Sequence, residues 1–134
     1  MELYLIAFNI ERLNQGAYHY NIKERKLELL WNKDLRNKRK ELISPYLSNA
    51  AATLIFTSVI ARSEVKYGLR AYPYSLIEAG HIGQNIHLAC AESGIGSCSV
   101  NGFVDNTIKE ILDLTDDEIP IYTISIGWPG IYGK

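Results

Sequence analysis

The sequence predicts an α+β domain in which helices pack on a mixed sheet. Ala52–Ala61 (ATLIFTSVIA) and Ile119–Gly127 (IPIYTISIG) are nearly unbroken apolar runs of strand length, the pattern of strands covered on both faces. Between them, Leu69–Ser93 keeps a helical pattern that would span about 38 Å. Strands and helices are thus interspersed without strict alternation.

The elements follow in order. Leu3–Asn9 is apolar and β-prone, with no turn residue before Asn9, and reads as a buried strand. Asn14-Gln15-Gly16 signals a turn. Ala17–Asn21 (AYHYN) and Lys26–Leu30 (KLELL) alternate like the arms of a hairpin closed by the polar turn Asn21–Arg25. Asp34 is placed to cap a helix from about Leu35 to Leu47, which Pro45 would cap or kink near its end. Arg62–Gly68 reads as a polar connection leading into the long helix. Pro73 falls in the first turns of that helix, where proline is tolerated, and Gly94-Ile95-Gly96 stops it. Ser97–Val100 is short and β-like. Asp105 is placed to cap a helix to Leu112, with a turn at Thr115–Glu118. Trp128–Lys134 forms a glycine-bearing tail.

Composition narrows the function classes. A chain of 134 residues fits one domain and can bury about two thirds of its unfolded surface. A net charge of −1 gives no global field for nucleic acid or an anionic membrane. The basic run KDLRNKRK reads as a solvated helix face, since no aromatic residues interleave with its charges. No apolar run reaches the roughly 18 residues that span a bilayer. MELYLIAFNIE has neither a basic leader nor a small-residue cleavage site. Cys90 and Cys98 lack metal-type and CxxC spacing, as expected of reduced thiols in a cytoplasmic protein. Neither nucleic acid nor membrane is an expected partner.

Several residues could carry chemistry. Leu76, Gly80, Gly83, His87 and Cys90 share one face of the long helix. An interior glycine costs about 1 kcal/mol against alanine, so two on one face imply a close approach, either by another helix or by a flat cofactor. His81 and His87 are off the i, i+4 spacing that places two helical ligands on one metal, and no Asp/Glu/Cys set completes a shell, so no metal is expected. Glu78 reads as a structural hydrogen-bonding group. Lys66 and Tyr67 lie between a strong strand and a long helix, where function concentrates. They read either as a solvated lysine and a half-buried tyrosine or as base and donor. In the second case Arg62 and Arg70, four residues away on either side, would make Lys66 a usable base, and Tyr67 would donate to a developing anion. Ser99-Val100-Asn101-Gly102 is either a simple turn or backbone that offers N–H groups to a polar ring edge; it matches no phosphate-loop motif.

The stretch KYGLRAYPYSLIEAGHIGQNIHLACAESGIGSCSVNGF, from Lys66 to Phe103, resembles the nitroreductase superfamily. Within it, the match is to the SagB-type dehydrogenases, flavin enzymes that oxidise peptide thiazolines and oxazolines to azoles. GAYHYNIKERKLELL upstream and IPIYTISIGWP downstream extend the resemblance over most of the chain. It implies an FMN-binding α+β fold with a mixed, mostly antiparallel sheet and a long central helix at a homodimer interface. Leu69–Ser93 would be that helix. Ser99, Val100, Asn101 and Gly102 match the loop whose backbone approaches the reactive edge of the flavin. Lys66 and Tyr67 match the pair assigned to proton removal, with hydride passing to flavin N5.

Relative to the family, residues 1–134 read as one N-terminally truncated domain. The family's Arg/Ser-rich element that holds the FMN phosphate has no counterpart, and Arg70 is the internal candidate for that role. The resemblance thus implies an FMN oxidoreductase acting on a precursor peptide or small molecule, with a second subunit as a possible source of the missing part. The competing reading is a non-catalytic, flavin-free dimeric binding or scaffold subunit. A third, nitroreduction of small aromatics with NAD(P)H, shares the fold but not the Lys-Tyr feature.

Overall fold

The computed structural model describes residues 1–42 and 49–130. The elements are β1 (Glu2–Ala7), β2 (Gly16–Asn21), β3 (Lys26–Trp31), a 3-10 turn (Arg36–Lys38) leading into α1 (Arg39–Leu42), β4 (Ala52–Val59), α2 (Ile60–Tyr67), a 3-10 turn (Gly68–Arg70), α3 (Ala71–Glu92), β5 (Gly96–Val100), α4 (Asp105–Leu112) and β6 (Glu118–Gly127). The strands form one sheet in the order β3-β2-β1-β4-β6-β5. Among the described residues every pairing is antiparallel, where the sequence led us to expect a mixed sheet. The chain returns along α3, so β5 runs in the same direction as β4. Antiparallel β6 then inserts between them, so the two parallel strands never pair.

The hairpin forms as its sequence predicts. Asn21 Oδ1 accepts the Glu24 N–H at 3.0 Å, and its amide donates to Glu28 at 2.9 Å. At the start of β2 a Cβ on Gly16 would lie 2.0 Å from the Trp31 carbonyl oxygen, so only glycine fits. In β6, Pro120 sits beside a register shift opposite Phe56/Thr57, a position where a strand tolerates proline.

Three helical expectations change. Asp34 accepts the Arg36 N–H at 2.9 Å, but the chain makes a 3-10 turn and then α1. The rest of the expected Leu35–Leu47 helix, with Pro45, lies outside the described residues. Arg62–Gly68 is not a polar connection, because α2 occupies Ile60–Tyr67. IARSEVKY contains alanine, arginine, glutamate and lysine and no breaker before Gly68, so helix propensity alone favours it. Asp105 is the first residue inside α4 rather than its cap; Val104 holds the cap position without a side-chain bond.

The core fills both faces. On one, Tyr4, Ile6, Phe8 and Ile55 meet Leu42 of α1 and Ile108, Ile111 and Leu112 of α4. The Arg39 guanidinium lies 4.6 Å from the Phe8 ring centroid and donates to the Ala50 carbonyl at 3.1 Å. Burying each large apolar side chain here contributes about 1.5–3 kcal/mol. Within this face Glu118 is buried, accepting from the Tyr4 hydroxyl at 3.0 Å and from Thr57. Burial first, and then the Glu118 charge, push the Tyr4 hydroxyl far above the ordinary phenol range. The opposite face carries α3 over β4, β6 and β5.

Candidate functional site

The sheet and α3 meet through small residues. Ala71, Ser75, Ala79, Gly83 and Cys90 form the buried stripe of α3. Ser75 donates to the Ala71 carbonyl at 3.1 Å and shares a 3.0 Å hydrogen bond with Ser58 of β4. A Cβ on Gly83 would lie 2.7 Å from Cε1 of Tyr122, so the helix seats directly on a tyrosine ring. The two glycines therefore do not share one role. Gly83 faces its own sheet, whereas a Cβ on Gly80 would meet nothing within 4 Å.

The C-terminal stop of α3 is as the sequence predicts. Gly94 takes φ +68, and the N–H groups of Gly94 and Ile95 return to the carbonyls of Ala91 and Cys90 at 3.2 and 2.8 Å. This left-handed glycine cap satisfies carbonyls that would otherwise be orphaned. It also turns the chain straight into the edge strand β5.

Lys66 and Tyr67 occupy the last turn of α2, so a helix rather than a loop presents them. Both are exposed. Lys66 Nζ lies 5.2 Å from the Tyr67 ring centroid, and Tyr67 meets Tyr74 edge-on at 5.4 Å. Arg62, expected to press its charge on Lys66, instead pairs with Glu2 at 2.5 Å. Ser63, Tyr67, Tyr74, Ser75, Ile77 and Glu78 line an open cleft of about 350 Å³ between α2 and α3. Glu78 is thus an exposed cleft residue. Arg70 is exposed on the 3-10 turn immediately before α3.

Ser99 and Val100 end β5, and Asn101 and Gly102 begin the loop that follows. Among the described residues nothing accepts the backbone N–H groups of Asn101, Gly102 or Phe103; Val104 donates to the Glu41 carbonyl at 2.9 Å. The Thr123 hydroxyl donates to the Val100 carbonyl at 2.6 Å and fixes the strand end. The Ser99 side chain is engaged where sequence reasoning considered only backbone. His87 places Nδ1 2.7 Å from Ser97 Oγ and Nε2 2.9 Å from Ser99 Oγ, and Ser99 Oγ lies 2.5 Å from the Tyr122 hydroxyl. This cluster was missed because Tyr122 comes from a distant strand, and only the pairing of β5 with β6 brings it to Ser99. The i, i+2 spacing of Ser97 and Ser99, which puts both on one strand face, was the available signal.

Among the described residues no group of three His, Cys, Asp or Glu could hold a metal ion, and none of their helices is long and apolar enough to cross a membrane. Both cysteines are free, Cys90 buried and Cys98 exposed. Among the described residues no hydrogen bond, ion pair or ring contact joins Lys66 or Tyr67 to Ser99–Gly102 within one chain.

An open antiparallel sheet backed by a long helix, with a helix-end Lys-Tyr pair and an edge-strand loop, defines a class of α+β proteins. A profile of the nitroreductase family matches residues 5–128, and the chain belongs to that family. A Methanocaldococcus jannaschii protein assigned to the nitroreductases is 26% identical over 129 residues, covering 95% of this chain and 64% of its own length. A crystal structure from Anabaena variabilis, also assigned to the nitroreductases, superposes with a TM-score of 0.89 at 30% identity over 96% of this chain and 27% of that one. A chain of the Escherichia coli microcin synthetase McbBCD complex with truncated pro-MccB17 superposes with a TM-score of 0.85 at 20% identity, over 96% of this chain and 52% of that one. The chain thus spans less than two thirds of the length of each of these relatives.

Proposed function

We propose that this chain forms the core of an FMN-dependent oxidoreductase of the SagB type, acting as a homodimer on a peptide azoline or related small substrate. Proteins of the nitroreductase family generally bind flavin. The observation that carries the proposal is the end of β5, where the N–H groups of Asn101, Gly102 and Phe103 are open to a polar ring edge. Gly102 adds no side chain to the approach, and a Cβ there would meet only open space. The residues present therefore fit the ring edge. At the phosphate end the fit rests on Arg70 beside the positive N-terminal end of α3.

Bound there, the flavin would supply the hydride acceptor. The chain's own residues would do the rest. The loop would orient the ring through Asn101 and Gly102, Lys66 would remove the ring proton, and Tyr67 would hold the developing charge by hydrogen bonding. The likeness in fold to a chain of the microcin synthetase McbBCD complex, which has truncated pro-MccB17 bound, supports a peptide substrate and partner subunits.

The outward side of α3 supports dimerisation. Tyr72, Tyr74, Leu76, Ile77 and Leu88 are exposed on it, and Leu69 just before it is 94% exposed. A second copy would bury this surface and bring one protomer's Lys66-Tyr67 pair toward its partner's β5 loop. With free cysteines, the proposed setting is the reducing cytoplasm.

The second reading, a flavin-free scaffold subunit, is favoured by the single exposed arginine at the phosphate end. The visible spectrum of the purified protein separates the two. Flavin absorbance near-stoichiometric with protein is expected, and colourless protein that takes up no added FMN overturns the enzyme reading. Lys66→Ala is expected to abolish azoline oxidation while leaving bound flavin in place; unchanged activity removes Lys66 from the reaction. Ile77→Asp is expected to convert a dimer to a monomer by light scattering with an unchanged circular dichroism spectrum.

A further inference from the structure

His87 lies outside the Lys-Tyr pair and the loop backbone, yet it is the hub of the polar cluster nearest that loop. Its two ring nitrogens contact two serines on the same face of β5, Ser97 at 2.7 Å and Ser99 at 2.9 Å. Ser99 then reaches the Tyr122 hydroxyl at 2.5 Å. Tyr122 is itself wedged against the helix at Gly83, one helical turn before His87. The chain of contacts therefore closes a ring from α3 through β5 to β6 and back to α3.

A neutral imidazole has one donor and one acceptor nitrogen. Placed between two hydroxyls, it fixes the orientation of both. Ser99 is held from two sides, by His87 and Tyr122, and it is the residue two before the first unengaged N–H of the loop. Val100 is meanwhile pinned by Thr123 through its carbonyl. The end of β5 from which the loop departs is thus set at two residues, at Val100 by Thr123 and at Ser99 by the His87 cluster. Among the described residues β5 has a neighbour on one side only, so without this cluster its end would be held by the β6 pairing and the Thr123 bond alone and would open more readily.

We propose that His87 is the positioning residue of the Ser99–Gly102 loop, acting through Ser99 to hold the backbone N–H groups of Asn101 and Gly102 in the orientation that receives the edge of a planar heteroaromatic cofactor. This rests on the flavin reading above, and it assigns no contact between His87 and the flavin. The side chain works at second hand, as hydrogen-bonded partners of ligating groups commonly do.

Two conservative variants separate positioning from general support. The longer amide introduced by His87→Gln reaches about as far as Nε2 and keeps the Ser99 contact. The shorter amide introduced by His87→Asn reaches about as far as Nδ1 and keeps the Ser97 contact. Either preserves one helix-to-strand bond, so a merely structural role would be served equally by both. The readouts are backbone amide NMR order parameters at residues 99–103 in the cofactor-free protein and the dissociation constant for FMN. His87→Ala is expected to lower the order parameters of Asn101 and Gly102 from the rigid range of about 0.85 to below about 0.6 and to weaken FMN binding by roughly tenfold. His87→Gln is expected to restore both, and His87→Asn neither. Unchanged order parameters in His87→Ala, or equal rescue by the two variants, overturn the assignment. So do lowered order parameters with unaltered FMN affinity. Wild-type protein that binds no FMN refutes the flavin reading instead, while the order parameters still decide whether His87 positions the loop.

Discussion

The two sides of α3 are inverted relative to an ordinary surface helix. Toward the sheet it offers Ala71, Ser75, Ala79, Gly83 and Cys90, while Tyr72, Leu76 and Leu88 are exposed off the sheet and Tyr74 and Ile77, also exposed, border the cleft toward α2. A surface helix of a monomer normally turns its large apolar residues to the core. Here the inward side is chosen for closeness, because a tyrosine ring and a serine pair already fill the space. The outward side holds the apolar area that the chain leaves uncovered. A helix built this way is seated by fit on one side and leaves its hydrophobic driving force for the other.

The sharpest way to break the comparison is to exchange the roles of its two glycines. Gly83→Leu must displace the Tyr122 ring and lift α3 from β6. Overpacking of this kind costs roughly 1–3 kcal/mol, and a full leucine against a ring should reach the upper end or beyond. Denaturant unfolding should show that loss, or no folded protein at all. A Cβ on Gly80 meets nothing within 4 Å, so Gly80→Leu should show little loss by the same measurement. Equal destabilisation by both would mean that the sides are not distinct.

Next in size is the polar contact inside the close side. Ser58 and Ser75 are almost fully buried and satisfy each other. Ser75→Ala leaves the Ser58 hydroxyl unpaired, at a cost of about 1–2 kcal/mol. Ser58→Ala combined with Ser75→Ala should recover most of that loss, since no orphan remains. A double variant as unstable as the sum of the singles would show that the hydroxyls act independently.

These contrasts also mark what the sequence made legible. The strands β4 and β6, the hairpin, and the glycine stop of α3 were readable because each depends on local pattern and turn chemistry, although the expected run Ala52–Ala61 overshoots β4, since Ile60 and Ala61 already belong to α2. The paired glycines looked like one stripe because spacing alone leaves positions three apart within about 60° of each other and cannot say which one meets a ring. α2 was hidden because all its residues are exposed or half-buried, so it carries no buried apolar stripe to announce it. The order of the sheet and the His87 cluster depend on β6 inserting between β4 and β5, a long-range choice with no local sequence signal. At the candidate site, the positions of Lys66, Tyr67, Arg70 and Ser99–Gly102 were named from resemblance, and their separation within one chain was not legible at all.

A gentler test asks whether the open side of α3 is truly open. An interior glycine costs about 1 kcal/mol relative to alanine in a helix. With nothing near Gly80, Gly80→Ala should stabilise the folded protein by up to about that amount, seen as a higher denaturation midpoint at constant slope. Gly83→Ala carries the same helix gain, but its Cβ would sit 2.7 Å from Tyr122, so it should be neutral or destabilising. The difference between two identical substitutions, three residues apart on one helix, isolates the sheet contact from helix propensity.

The smallest expected effect concerns α2, which is tied to the sheet by charge rather than packing. Arg62 reaches Glu2 at 2.5 Å, and His19 Nε2 lies 3.0 Å from the same carboxylate. Partial burial pulls the Glu2 carboxyl upward, but the hydrogen bonds from His19 and Arg62 outweigh it and hold the group below its ordinary 4.5. A carboxyl lowered in the folded state adds stability above its unfolded value and loses it as the pH falls through the folded value. Wild type should therefore exceed Glu2→Gln in stability at pH 7, and the gap should close below about pH 4.5. Because the Arg62 end is exposed, raising the salt concentration should narrow the gap at pH 7 as well. A gap that persists unchanged at acid pH would mean that α2 is held by packing after all, and that the outward-facing helices do not depend on this ion pair for their position.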